Sequence, residues 1–236
     1  SVAIIVLVIH IFLNPLGLPK IRYFIFPLIF IIFAALLATA SRTGILALIG
    51  APIIWFFLKT FTSDNKVYSF ITGMFLVIII LLPILYIVSQ SYSLISRFAL
   101  IAEGNFGGRE VLWVAYAAMI SENFLFGYGL SGTDLVSYQY LGYAGETPHN
   151  IVLQTLVYAG IPGLFFYSLF IYRIFKASYI CYRDLNLLMP ALLVSPLLGY
   201  FMLTQSISEK IVWVMMAYIA GTYLFNNSKR TSSKAL

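Results

Sequence analysis

Charge is scarce in this chain of 236 residues: 9% are Asp, Glu, Lys or Arg, against 61% hydrophobic. The apolar runs left between charges are long enough to cross a hydrocarbon core of roughly 30 Å, so the chain reads as an integral membrane protein. There is one cysteine, Cys181, expected in a cytoplasmic loop, which excludes a disulfide framework and a cysteine-rich metal site. The two histidines, His10 and His149, stand far apart, so no zinc centre and no other metal or cofactor is expected. No basic stripe is interleaved with aromatics, and the net charge of +6 comes mostly from scattered helix anchors, which excludes a nucleic-acid partner. The chain opens on Ser1 without Met or a basic flank, so it lacks a signal-peptide pattern. It is expected to be the C-terminal part of a longer protein, beginning inside a helix.

What is present is a series of seven apolar stretches, at about 1–16, 21–40, 43–58, 67–89, 150–175, 185–204 and 211–226. They predict an all-α, polytopic transmembrane helical bundle in which 1–236 form a single membrane domain. Lys20, Arg22, Lys59, Lys66, Arg173, Lys176, Arg183, Lys229, Arg230 and Lys234 fall in one set of connections. Only Arg42, Arg97, Arg109 and Lys210 fall in the other, so the positive-inside rule puts the first set in the cytoplasm. His10 lies in the first apolar stretch, where an ionisable group is a functional candidate without a visible partner.

Residues 90–149 are the long outer connection, and loops of that length are usually functional or disordered. Richness in Tyr, Phe, Trp, Leu and Gly, with no long polar run, argues for order. Between Arg109 and Glu122 the apolar residues have helical spacing over a length too short to span, which predicts an interfacial or re-entrant helix. Gly127, Gly129 and Gly132 spell G-x-G-x-x-G, but no strand precedes them, so they are read as turn residues.

Arg42, Arg97, Arg109 and His149 are the most informative side chains, whereas Lys210, the fourth outer cation, has no motif around it and is read as a helix anchor. Ser41 is placed to cap a helix that opens on Arg42, and Arg109 opens the next helix after Gly107 and Gly108. A cation at a helix N-terminus is opposed by the helix dipole, and an anion would relieve both sites. Helix starts and guanidinium forks suit phosphate, so an outward-facing phosphate or pyrophosphate site is expected. The plain alternative is that Arg42 reaches lipid headgroups and Arg109 pairs with Glu103 or Glu110. Arg97 follows a polar Ser/Tyr/Gln stretch without a clear helix start and is a secondary candidate.

Thr147-Pro148-His149-Asn150 reads as a helix start with Thr147 as cap and Pro148 in the first helical position. His149 then sits on the first turn, where the dipole favours a neutral, proton-accepting ring against the pull of Glu146. Asn150 and Gln154, four residues apart, point polar groups from the helix mouth and could hold a sugar or each other.

Taken in order, Ser41-Arg42-Thr43-Gly44, Gly108-Arg109 with Trp113, and His149-Asn150 with Gln154 and Gly160-Ile161-Pro162-Gly163 resemble the O-antigen ligase and O-antigen polymerase family. The likeness runs from about residue 21 to 175. It implies a metal-independent glycosyltransferase of the GT-C type in the bacterial cytoplasmic membrane, active on its outer face. The implied donor is a glycan on undecaprenyl diphosphate. The implied acceptor is a sugar hydroxyl, on the lipid A core for a ligase or on a lipid-linked repeat for a polymerase. In this resemblance Arg42 and Arg109 cradle the pyrophosphate and His149 orients or deprotonates the acceptor, while Ser41, Arg97, Trp113, Asn150 and Gln154 line the substrates. Family members often carry an acid shortly before the glycine turn, where this chain has Tyr158. A lipid-linked sugar flippase and a noncatalytic membrane scaffold are the competing readings. Against the flippase, charge gathers at outer helix ends rather than at the midplane.

Overall fold

A computed structural model describes residues 21–39, 42–104, 109–143, 147–203 and 209–234. They form ten helices and, among the described residues, no strand. In chain order these are α1 (Ile21–Ala38), α2 (Arg42–Thr62), α3 (Lys66–Ser89), α4 (Tyr92–Ala102), α5 (Arg109–Glu122), α6 (Gly129–Leu141), α7 (Ile151–Leu185), α8 (Leu188–Leu192), α9 (Val194–Leu203) and α10 (Lys210–Lys234). Three stretches, Gly44–Thr62, Lys66–Ser89 and Ile151–Leu185, are long and apolar enough to cross a membrane, and Pro27–Ala38 and Leu188–Phe201 are shorter apolar helices. The all-helical, polytopic membrane class expected from composition is therefore the observed one. The first expected segment, with His10, lies outside the described residues.

The chain divides into two compact units, one drawn from Ser1–Phe98, Lys176–Gly199 and Met215–Leu236, the other from Ala99–Phe175 and Tyr200–Val214. In the first, Asn65 accepts the Tyr68 backbone N–H at 3.0 Å and so starts α3 directly after the short link from α2. Fully buried Ile45 and Leu94 pack together, with Leu36, Leu37, Ile49 and Val88 around them. Ala51 of α2 meets Met189 and Leu192, and Ser195 donates its hydroxyl to the Ala47 carbonyl at 2.6 Å. Along α3 the exposed residues are large and apolar, among them Phe70, Phe75, Ile79 and Leu82, as a lipid-facing helix requires.

In the second unit α5 packs against α6, and Tyr116, Met119 and Val157 form a buried centre flanked by Tyr128, Tyr140, Leu153 and Tyr158. The expected helix from Arg109 to Glu122 is present with those bounds. The connection 90–149 also holds α4 and α6, which periodicity does not predict. Arg97 lies within α4, because the carbonyl of Ser91 accepts from the amides of Leu94 and Ile95 and the apolar face then buries Leu94. Gly127 and Gly129 have the positive φ of turn residues, 68° and 70°, but Gly132 falls inside α6.

Further boundaries differ: α2 runs to Thr62 and α10 to Lys234, past the expected ends near 58 and 226. The helix expected to stop near 175 continues to Leu185, so Cys181 is a buried helical residue and not part of a loop. The stop comes at Asn186, whose left-handed backbone (φ 54°) lets its N–H close on the Tyr182 carbonyl at 3.0 Å. The segment expected as one helix over 185–204 is divided at Leu193, since Pro196 has no N–H to offer the carbonyl four residues earlier.

Candidate functional site

The second unit carries Arg109, Trp113, His149, Asn150 and Gln154. Arg109 is the first residue of α5 and is partly buried. One helical turn on, Trp113 sends its indole N–H across to the Pro148 carbonyl at 2.8 Å. An indole has that donor alone, so Trp113 anchors the strand of chain that carries His149 and has no N–H left for a sugar.

The start of α7 differs from the expected one. The helix opens at Ile151, and the cap is Asn150, whose Oδ1 accepts from the amides of Val152 at 2.9 Å and Leu153 at 3.2 Å. Thr147 caps nothing: its hydroxyl oxygen is buried without a hydrogen-bond partner. Asn is the stronger cap of the two. His149 is consequently not on the first helical turn. It precedes the cap with a left-handed backbone, φ 49°, a conformation in which His, Asn and Asp are enriched among non-glycine residues. The imidazole is thus carried on a bend between an anchored Pro148 carbonyl and a capped helix start. Replacing Asn150 by Ala should cost about 1 kcal/mol. Asn150→Asp should keep the cap, and thermal unfolding in detergent would separate the two variants.

Gln154 does not pair with the Asn150 side chain. It is 2% exposed and donates its amide to the Tyr158 hydroxyl at 3.4 Å. Two turns further on α7 breaks at Gly160 (φ 61°, ψ −158°), and the turn after α5 fills the break. The Ile161 amide donates to the Phe124 carbonyl at 3.0 Å, and the Tyr128 amide donates to the Val157 carbonyl at 2.7 Å. A Cβ at Gly160 would lie 2.2 Å from the Leu125 carbonyl oxygen, so only glycine admits this crossing.

A carboxylate that sequence reasoning did not single out closes the other end of α5. Glu122 accepts from the Tyr140 hydroxyl, and from the Tyr128 hydroxyl at 3.4 Å, while Tyr128 also donates to the Met119 carbonyl at 3.1 Å. The hydrogen bond to Glu122 pushes the pKa of the Tyr140 phenol up to about 12. No periodicity links positions 122, 128 and 140, so only the fold could bring them together. Between α5 and α6 opens a groove of about 440 Å³, with Glu110, Val111, Val114, Ala118, Tyr140 and Leu141 on its walls.

Arg42 and Arg97 belong to the first unit, where Arg42 is the first residue of α2; their side chains, and Ser41, lie outside the described residues. Among the described residues no three His, Cys, Asp or Glu side chains are grouped to hold a metal ion.

No curated protein and no solved structure matches the chain. Residues 27–168, which include Arg42, Arg97, Arg109, Trp113, His149, Asn150, Gln154 and the Gly160 break, match the O-antigen ligase family. That match covers more than half of a chain whose helices have the length and apolarity of membrane spans, and the chain belongs to the O-antigen ligase family.

Proposed function

We propose that the protein transfers a glycan from undecaprenyl diphosphate to a sugar hydroxyl at the outer face of the bacterial cytoplasmic membrane, without a metal ion. The observation that carries this reading is the family match across 27–168, which takes in both candidate cation positions and His149. In the reaction the acceptor oxygen attacks the anomeric carbon, the bond from that carbon to the diphosphate oxygen breaks, and the leaving diphosphate keeps the electron pair. The hydroxyl proton passes to His149, the general base. Arg109, at the N-terminus of α5, meets the charge that grows on the departing diphosphate, and its fixed position lowers the barrier where charge develops.

The anchored bend around His149 supports the assignment, because a base held by Trp113 on one side and by the Asn150 cap on the other needs little reorganisation. Trp113 and Asn150 then act as positioning residues. Gln154, which the resemblance implies in substrate contact, forms a polar pair with Tyr158 along the same helix. Arg42 and Arg97 retain the roles that the resemblance implies: Arg42 for the diphosphate, Arg97 for substrate contact. The acceptor is the lipid A core or a lipid-linked repeat.

Deletion of the gene in its host tests this reading and distinguishes the two acceptors. Surface glycan shortened to single repeats on the core is the expected result for a polymerase. Full-length chains retained on the carrier are expected for a ligase. Unchanged surface glycan, or carrier translocation in proteoliposomes with no new glycosidic bond, overturns the proposal.

A further inference from the structure

The turn from Asn123 to Tyr128, between α5 and α6, has a composition and bonding pattern that catalysis does not explain. Phe124, Leu125 and Phe126 are exposed by 47%, 51% and 75%, and Leu130 on the next turn is equally open. Three consecutive large apolar residues on a turn tip are costly in water. The turn is, however, tied by specific polar bonds. The Gly127 amide donates to the Asn123 carbonyl, and the Asn123 side-chain amide donates to the Gly127 carbonyl at 2.6 Å. The Phe124 carbonyl and Tyr128 amide are matched by Ile161 and Val157 across the break in α7. Backbone that leaves helical geometry needs neighbouring protein groups as partners in hydrocarbon, and here the turn and the broken helix supply them to each other at Phe124, Tyr128, Val157 and Ile161.

The depth of that crossing follows from α7. Beyond the break at Gly160, α7 continues for 25 residues to Leu185, roughly 38 Å at 1.5 Å per residue, so only part of it lies in a core of roughly 30 Å. Arg173, Lys176 and Arg183 mark one boundary, since such groups stay at or beyond the interface. Gly160 is then roughly 20 Å from the level of Arg173, inside the core and on the order of 10 Å short of its far face. Ile161, whose amide bonds the Phe124 carbonyl, and Phe165, Phe166 and Leu169 further along α7 are exposed and apolar.

We infer that the Asn123–Tyr128 turn is a re-entrant wedge whose Phe124, Leu125 and Phe126 side chains contact the acyl chains of bilayer lipid beside the kinked helix α7. The occupant is bulk phospholipid, because the exposed tip is hydrogen-bonded, through Phe124 and Ile161, to a helix whose exposed apolar residues themselves require lipid. The test does not use activity, so its outcome is independent of the glycan-transfer reading.

The test places a nitroxide label on Phe126→Cys in a Cys181→Ala background, with the full chain in phospholipid liposomes free of polyprenyl carrier. Labels on Phe165→Cys and Gln139→Cys serve as references. The expected result is more frequent collision with oxygen than with a water-soluble nickel complex, in a ratio matching that at 165. A nickel-dominated label like that at 139 overturns the inference. So does protection from both probes, the sign of a covering protein segment or second copy. Oxygen exposure that arises only after polyprenyl diphosphate is added also overturns it. If the Cys181→Ala protein does not fold, Phe126→Trp in brominated lipid gives the same reading: quenching beyond that of the parent protein supports the wedge, and its absence refutes it.

Discussion

The His149→Asn protein is expected to fold as the parent does and to lose glycan transfer by about a hundredfold to ten-thousandfold, the range for removal of a general base. Asn is the informative replacement because position 149 has φ 49°, which Asn tolerates and Ala resists, so lost activity is not confused with backbone strain. Arg109→Ala should lower transfer by about a hundredfold to a thousandfold, as for loss of a group that stabilises charge in the transition state. Arg109→Lys should recover little of it, since an ammonium cannot offer a bidentate fork to phosphate. Purified protein with a lipid-linked glycan donor, unfolding temperature measured alongside, reads both effects. Full activity in both His149→Asn and Arg109→Ala would remove the catalytic assignment.

The largest structural effect is expected at Gly160. Its φ of 61° and ψ of −158° lie in a region that is essentially glycine-only, and a Cβ there would stand 2.2 Å from the Leu125 carbonyl oxygen. The two penalties act together, because the backbone carbonyl that would be struck is part of the turn filling the helix break. Gly160→Ala should lose on the order of 3 to 5 kcal/mol and yield little monodisperse protein. Gly142→Ala is the comparison. Gly142 also has positive φ, 76°, but nothing lies within 4 Å of its Cβ position, so strain of about 1 to 2 kcal/mol is all that is expected. Equal stability of the two variants, read by thermal unfolding in one detergent, would refute the tight crossing.

Several features were legible without coordinates for identifiable reasons. The helix from Arg109 to Glu122 is bounded by glycines and a polar end, so periodicity alone located it. The glycine triplet lacked a preceding strand, and Gly127 is a turn residue as read, while Gly129 opens α6 with a positive φ. The two short helices α4 and α6 were missed because their signals are weak locally: Arg97 follows a polar stretch, and α6 opens on glycines. The cap at Asn150 was misplaced by one short step with a large consequence. Thr147 followed by Pro148 carries the ordinary signature of a helix start, but the bond from Trp113 to the Pro148 carbonyl comes from another helix, and no local rule contains it.

By itself the sequence determined the membrane class, because a chain with 9% charged residues has too few polar groups to face water and long enough apolar runs to face lipid. It also determined which helices open on a cation, since capping and dipole effects act within a turn. Only tertiary structure decided how His149 is presented, how Glu122 joins two tyrosines, and how the Phe124–Tyr128 turn repairs the break at Gly160. Each depends on hydrogen bonds between residues distant in sequence, and the geometry of such bonds is set by packing that local propensity does not encode.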